Sequence, residues 1–155
     1  MIHEGQEFAR SKVIAPTNSP DPKIGTIDHN SYNKDNETNY LNYQHRDINR
    51  ELYDYYKGLI ELRKQFPQLS SASPDDVRFL GTENDFLIAY TLLQEKRTLL
   101  VIVNGNASRA FEFELPKGIW TIVANAHSVS LNGSLGNVSQ KVAVPPTSGM
   151  VLTQP

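Results

Sequence analysis

The chain of 155 residues contains no cysteine, which excludes disulfide bonds, thiolate metal sites and cysteine nucleophiles. It has no surplus of charge, because 15 basic and 17 acidic residues leave a net charge of −2. That balance gives no electrostatic basis for binding nucleic acid or an anionic membrane, and we expect neither partner. The longest apolar run, Leu99–Val103, is far too short to cross a bilayer.

The first ten residues carry acidic side chains and lack an apolar core, so we expect no signal peptide in this chain. The absence of cysteine suits the cytoplasm and the periplasm equally, and the compartment stays open. The hydrophobic content of 39% and the charged content of 21% are those of a globular protein. The length fits one domain, or one domain with part of another.

The sequence changes character near residue 70. Residues 1–45 are polar and irregular, and a run of Asn, Asp, Ser and Tyr extends from Asp28 to Tyr43. So long an aperiodic stretch is unusual inside a compact domain. It predicts either disorder or a functional loop that has been separated from its scaffold.

A single helix is predicted over residues 46–66. Asp47 is the expected N-cap, Lys64 suits the C-terminal end of the helix dipole, and Pro67 ends the helix. Gly58 should weaken this helix by about 1 kcal/mol relative to alanine. The apolar residues recur at alternating steps of four and three, which forms one stripe: Ile48, Leu52, Tyr55, Leu59, Leu62 and Phe66.

From residue 77 onward the apolar period changes to two, which indicates β-strands. Turn residues separate the strands at intervals of roughly 8–12 residues, as in an antiparallel sandwich or barrel. We therefore predict a mostly β protein with an antiparallel β-sandwich domain over 77–155, on which the helix packs through its stripe. The apolar members of the strands are Phe86, Ile88, Tyr90, Leu100–Val103, Phe111, Phe113, Leu115, Trp120, Ile122, Val142, Val144 and Met150–Leu152.

Three segments in the order found here carry a resemblance to a known family. They are Met1-Ile2-His3-Glu4-Gly5-Gln6-Glu7-Phe8, then His29-Asn30-Ser31-Tyr32-Asn33 followed by Asp35–Tyr43, and then Tyr56–Pro67. With the β-rich remainder, they resemble glycoside hydrolase family 13, the alpha-amylase superfamily, and within it the pullulanases and isoamylase-type debranching enzymes. Asn42 and Tyr43 depart from the family pattern, which usually has aspartate and tryptophan there.

The resemblance implies where each segment belongs. The first is similar to the last strand of the catalytic (β/α)8 barrel, the second to the long loop after that strand, and the third to the last barrel helix. Residues 1–70 would then be a remnant of the barrel end, with the strand, the substrate loop and the 46–66 helix. Residues 77–155 would be the all-β C-terminal domain.

The resemblance also implies that the catalytic centre is missing. Enzymes of this kind use one carboxylate as nucleophile and a second as acid and base, about 5 Å apart. In the family both come from strands upstream of the segment that opens this chain. The chain is thus expected to be the inactive C-terminal fragment of an α-1,6-debranching, pullulanase-like glucan hydrolase without a cofactor. Its partner would be an α-glucan, bound through a parent barrel whose remainder is missing.

Five loop residues are the candidates for contact with sugar in the intact parent: Asn30, Tyr32, Asp35, Asn36 and Asn39, with Tyr40 beside them. Planar amides and carboxylates form paired hydrogen bonds with sugar hydroxyls, and an aromatic face covers the C–H side of a sugar ring. The same residue types also build turns, so a purely structural loop is the alternative. The resemblance favours contact.

Other side chains carry weaker signals. Glu4 and Glu7 either line the sugar cleft or, in the case of Glu7, bond to the loop, and we expect the latter. His3, His29 and His45 with Asp28 match no compact zinc pattern. Oxygen ligands suited to calcium are dense at Asp28, Asn30, Asp35, Asn36 and Glu37, but they lack the EF-hand order, and we predict no bound metal.

Two alternatives to the fragment of a hydrolase stay open for the β-sandwich. It could recognise glucan by itself, or it could be a structural domain that stabilises the parent enzyme. Trp120 is the one tryptophan of the chain. If exposed it would stack on a glucan, but a strand of this composition favours a core position.

Overall fold

The computed structural model describes residues 2–16, 23–94 and 97–154. Met1, the first residue of the family-like opening segment, lies outside them. The chain divides into two compact units, Met1–Tyr56 and Lys57–Pro155. The division falls inside the helix Arg50–Gln65, whereas the sequence pattern placed the boundary between residues 70 and 77. The reason is that the second half of this helix contributes its apolar side chains to the core of the second unit.

The helices are α1 (Gln44–Ile48), α2 (Arg50–Gln65) and α3 (Gln68–Ser71), with 3-10 turns at Gln6–Phe8, Glu37–Asn39 and Pro74–Asp76. The prediction of one helix from residue 46 is wrong in its first turn. Asn49 leaves the helical region with φ −105° and ψ 41° and separates α1 from α2. Asp47 therefore lies inside α1 and is not an N-cap. No helix in the described ranges is both long and apolar enough to cross a membrane.

The apolar stripe is buried in its C-terminal half and exposed in its N-terminal half. Leu62 and Phe66 are each 3% exposed and pack in a cluster that Leu59 borders. Ile48 is 77% exposed and Leu52 is 37% exposed. Within the second unit, the predicted packing of the helix is confirmed for Leu59, Leu62 and Phe66.

The second unit is an antiparallel β-sandwich, as predicted. A six-stranded sheet in the order β1-β2-β3-β8-β5-β6 faces a two-stranded sheet, β4-β7, and every pairing is antiparallel. The strands are β1 (Val77–Leu80), β2 (Leu87–Gln94), β3 (Arg97–Asn104), β4 (Phe111–Glu114), β5 (Trp120–Ala124), β6 (Asn137–Val138), β7 (Lys141–Val144) and β8 (Ser148–Gln154).

The large sheet buries apolar side chains on both faces, because successive residues of a strand point to opposite sides. Leu100, Ile102 and Leu152 pack with Val144 of the small sheet, and Leu99 on the other face packs with the α2 cluster. Burial on both faces explains one error. The alternation Phe86-Ile88-Tyr90 predicts a strand, but it does not mark the face that is most buried: Phe86 and Ile88 are more than half exposed, while Leu87 and Ala89 are buried.

Trp120 is a core residue, as expected. It is 1% exposed, and its indole Nε1 donates a hydrogen bond of 2.9 Å to the carbonyl of Pro116. The buried Asn104 has a similar structural function, because its Nδ2 donates to the carbonyl oxygens of Arg109, Val144 and Pro145. Both polar groups are therefore satisfied inside the sandwich.

Close packing explains the glycine at position 58 of α2, which the sequence did not show. A Cβ atom at this position would lie 2.7 Å from Cβ of Val129, in the chain segment after β5. Because Val129 Cβ is attached directly to the backbone, it cannot move away without shifting the main chain. The glycine lets α2 approach the sandwich closely, in addition to its effect on helix propensity.

Candidate functional site

The opening segment is a turn and not a strand. Glu4 and Gly5 form a turn, and one turn of 3-10 helix follows at Gln6–Phe8. Gly5 (φ 82°) and Ala9 (φ 51°) both have left-handed backbone conformations, which interrupt an extended chain. The predicted barrel strand at residues 2–8 is thus not formed, since a strand also requires neighbouring strands that complete its backbone hydrogen bonds.

Arg10 connects this turn to the loop that carries the predicted sugar contacts. Its Nη2 donates to the carbonyl of Asn39 at 3.0 Å, and its Nη1 donates to the carbonyl of Glu4 at 3.4 Å. A Cβ atom on Gly5 would lie 2.6 Å from Cδ of Arg10, so the glycine makes room for the arginine side chain. The sequence contained no pattern that would have singled out Arg10.

Asn39 and Asn36 are used to build the loop. Asn39 Nδ2 donates to the carbonyls of Ser31 (2.6 Å) and Lys34 (2.5 Å), and its Oδ1 accepts from the Ser31 hydroxyl at 2.8 Å. Asn36 Oδ1 accepts the backbone N–H of Thr38 at 3.0 Å and caps the 3-10 turn there. The turn-building alternative therefore describes what these two amides do in this structure.

Asp28 fixes the entrance of the same loop. Its side chain is 10% exposed, and its carboxylate accepts hydrogen bonds from Lys34 Nζ and from the backbone N–H of Asn30. The hydrogen bond from Lys34, followed by that from Asn30, lowers the pKa of Asp28 below its usual value of 3.8. Asp28 is consequently a carboxylate at neutral pH and a structural partner of the lysine.

The remaining three candidates face solvent. Tyr32 is 84% exposed, and Asn30 and Asp35 are also exposed. An exposed phenol ring and an exposed amide are the groups that can meet a sugar without disturbing the loop. The structure leaves Asn30, Tyr32 and Asp35 accessible to a ligand.

An open cleft of about 520 Å³ brings several of these residues together. Its lining includes Glu4, Arg10, Asn30, Tyr32 and Asn39, so the first two family-like segments meet here. An adjoining cavity of about 510 Å³ shares Glu4 and Arg10 with it. Asp35 and Asn36 do not line the cleft. The sequence reasoning missed Arg10 and also Lys12, which line both spaces.

The other candidate side chains do not assemble into a catalytic or metal site. Glu7 is half-buried, and no hydrogen bond reaches its carboxylate from the described residues. In the same ranges, no group of three or more His, Asp or Glu residues is placed to hold a metal ion. The cleft therefore offers hydrogen-bonding and aromatic groups and no metal-binding cluster.

No protein-family model matches the chain. Among solved structures, it is similar to a pullulanase from Bacillus acidopullulyticus, with a TM-score of 0.76 and 26% identity over 97% of this chain and 18% of the pullulanase. It is also similar to a trehalulose synthase mutant in complex with Tris, with a TM-score of 0.50 and 26% identity over 73% of this chain and 20% of that one. The isomaltulose synthase from Erwinia rhapontici NX5, at 20% identity and a TM-score of 0.50 over 67% of this chain and 18% of that one, shares the fold.

The fold is that of the C-terminal region of a pullulanase. The chain spans about a fifth of the length of the solved proteins that it matches. This likeness supports the family resemblance seen in the sequence, that of a C-terminal part of an alpha-amylase family protein.

Proposed function

We propose that this chain is the C-terminal part of a pullulanase-like enzyme that hydrolyses α-1,6 bonds of glucans, and that the catalytic carboxylates belong to the rest of that enzyme. The observation that supports this most strongly is the likeness to the pullulanase, which extends over 97% of this chain and 18% of that protein. Nearly all of this chain thus has a counterpart in a small portion of a much larger enzyme.

The chemistry of the cleft agrees with a separate catalytic centre. A retaining glycosidase needs two carboxyl groups about 5 Å apart, one of which must carry a proton near the working pH. Among the described residues that line the cleft, the carboxylates are Glu4 and Asp28. Asp28 is unsuited to donate a proton, because Lys34 and the Asn30 amide hold its pKa below the usual value.

In the intact parent, the first unit would contact the glucan through its loop. Asn30 and Tyr32 line the cleft with exposed side chains, and Asp35 is exposed next to them in the chain. Asn36 and Asn39 would contribute by holding the loop in shape, because their amides are already hydrogen-bonded to it. Arg10 would keep the turn at Glu4 next to this loop.

An activity assay of the isolated chain tests the absence of a catalytic centre. We expect no hydrolysis of pullulan or starch, because the nucleophile and the acid are both missing. The Glu4→Gln and Glu7→Gln variants are the controls. Turnover that persists through repurification and disappears in either variant would show a catalytic carboxylate within this chain and would overturn the proposal.

The genomic DNA upstream of codon 1 provides an independent test. We expect the reading frame to continue upstream into a barrel with paired carboxylates. In the longer enzyme, Tyr32→Ala should raise KM about three- to tenfold through loss of ring stacking. Phe79→Ala, an exposed phenylalanine of the second unit, is the matched control. An in-frame stop codon directly upstream, with no barrel encoded, would contradict the proposal.

A further inference from the structure

A second groove lies in the β-sandwich, within the second unit. It has a volume of about 590 Å³ and runs between β4 and residues 81–84 of the loop that joins β1 to β2. Leu87 and Phe113 line it and are each 6% exposed, so they form an apolar floor. The volume lies in the range of about 300–1,000 Å³ that is typical of small-molecule sites.

An aromatic platform borders this groove. Phe111 lines it and stacks on Phe86, with ring centroids 6.4 Å apart and an angle of 6° between the rings. Phe86 is 53% exposed and is not itself among the residues that line the groove. The two stacked rings form an apolar aromatic surface beside the polar groove, and the C–H face of a pyranose ring packs on such a surface.

The polar side chains of the groove suit hydroxyl groups. Glu83 and Glu114 line the two sides, are exposed, and make no ion pair within the described part of the chain. Asn84 Oδ1 accepts the N–H of Phe86 at 2.9 Å, which leaves the Nδ2 hydrogens as donors at the groove wall. Carboxylate acceptors and an amide donor together match the alternating donor and acceptor capacity of vicinal hydroxyls.

The charge of the groove restricts the ligand class. Lys141 is the one cation in the lining, and its Nζ is paired with Glu112 at 2.8 Å. The unpaired Glu83 and Glu114 would repel phosphate or carboxylate groups. A neutral polyol is therefore favoured over an anionic metabolite.

We propose that this groove binds a segment of an α-glucan, with one sugar ring packed on Phe86 and Phe111 and its hydroxyls donating to Glu83 and Glu114. Asn84 donates to a sugar oxygen from the loop side. The sugar class follows from the groove itself, and the choice of an α-glucan rests on the proposed function. The site is separate from the cleft at Tyr32, which lies in the first unit.

A titration of the full chain with a maltooligosaccharide, followed by amide chemical shifts, tests this site. We expect saturable shifts at residues 81–87 and 111–114. Phe86→Ala should weaken binding about three- to tenfold, and Glu114→Ala about tenfold. Phe79→Ala removes an exposed ring outside the groove (71% exposed, against 53% for Phe86) and should leave the affinity unchanged. Glu114 is exposed, so Glu114→Ala keeps the test valid if Phe86→Ala perturbs the fold.

The outcomes separate this inference from the proposed function. Absence of saturable shifts, or shifts confined to residues 28–43, would contradict glucan binding in the groove without affecting the assignment to a hydrolase. If the groove binds the oligosaccharide but the upstream DNA encodes no barrel, the hydrolase assignment is contradicted and the binding site in the groove is supported. Equal affinity for a cellooligosaccharide would overturn the assignment to an α-glucan.

Discussion

Each of the two units is stabilised internally by a different kind of interaction. Among the described residues of the first unit, the buried apolar side chains are Phe8, Ile14 and Ala15. Hydrogen bonds supply other connections, both between backbone groups, as from the Ile14 N–H to the Thr26 carbonyl at 2.9 Å, and to side chains, as from the Ala15 N–H to Thr38 Oγ1 at 3.1 Å. The second unit instead buries two apolar clusters, one on each face of its large sheet.

This difference indicates which unit stabilises the chain. Ordering each residue costs roughly 1–2 kcal/mol, and burying a large apolar side chain returns about 1.5–3 kcal/mol. The second unit can offset its ordering cost with many buried side chains, whereas the first unit has few. We therefore expect the first unit to need further contacts in a longer enzyme, and the sandwich to be stable by itself.

The largest expected effect concerns the core under α2. Leu62→Ala should lower the free energy of unfolding by about 2–5 kcal/mol, because the side chain is 3% exposed and leaves a cavity. Leu59→Ala, at a half-buried position, should have a smaller effect. Urea unfolding measures both. Ile60→Ala, on the same helix at 46% exposure, is the control, and an equal loss in that variant would contradict the packing described here.

The first unit should respond locally and not globally. Asn39→Ala removes three hydrogen bonds that close the loop, so the amide chemical shifts of Ser31 and Lys34 should move toward free-chain values. The urea midpoint of the sandwich should stay unchanged. Asn33→Ala, at an exposed neighbouring position, is the control. A midpoint shift as large as that of Leu62→Ala would show that both units unfold as one.

Gly58→Ala should have a smaller effect on the sandwich. Alanine improves the helix by about 1 kcal/mol, but overpacking against Val129 costs about 1–3 kcal/mol, so we expect no gain or a net loss near 1 kcal/mol. Thermal unfolding of Gly58→Ala, Val129→Gly and the double variant isolates the contact. Stabilisation by Gly58→Ala alone would contradict the close approach.

The smallest effect is the pH dependence of the first unit. The folded state lowers the pKa of Asp28 below 3.8, chiefly through Lys34, so its contribution is present above that pH. The contribution is lost as the pH falls through the lowered pKa. The carboxyl carbon shift of Asp28 measures the titration, and Lys34→Gln should return the pKa toward 3.8. An Asp28 pKa at or above 3.8 in the chain without the Lys34 substitution would be inconsistent with this ion pair.

Periodicity made the sandwich predictable, because alternation in strands such as Phe111–Glu114 and in the second half of the helix reflects burial directly. It failed where burial is two-sided, as in β2 next to Ile88, and where a single backbone departure at Asn49 divides a helix. In the first unit the composition showed that the loop is polar. It did not show whether Asn39 contacts a ligand or the loop itself, because an amide does either.

Hydrogen exchange on the isolated chain tests the contrast between the two units most directly. We expect slow exchange in β3 and β5, whose side chains form the two apolar clusters. We expect exchange close to free-chain rates in residues 2–8 and 30–43, where few apolar side chains are buried. Strong protection of both segments in a monomer would show that the first unit is stable alone, and would contradict its dependence on a longer enzyme.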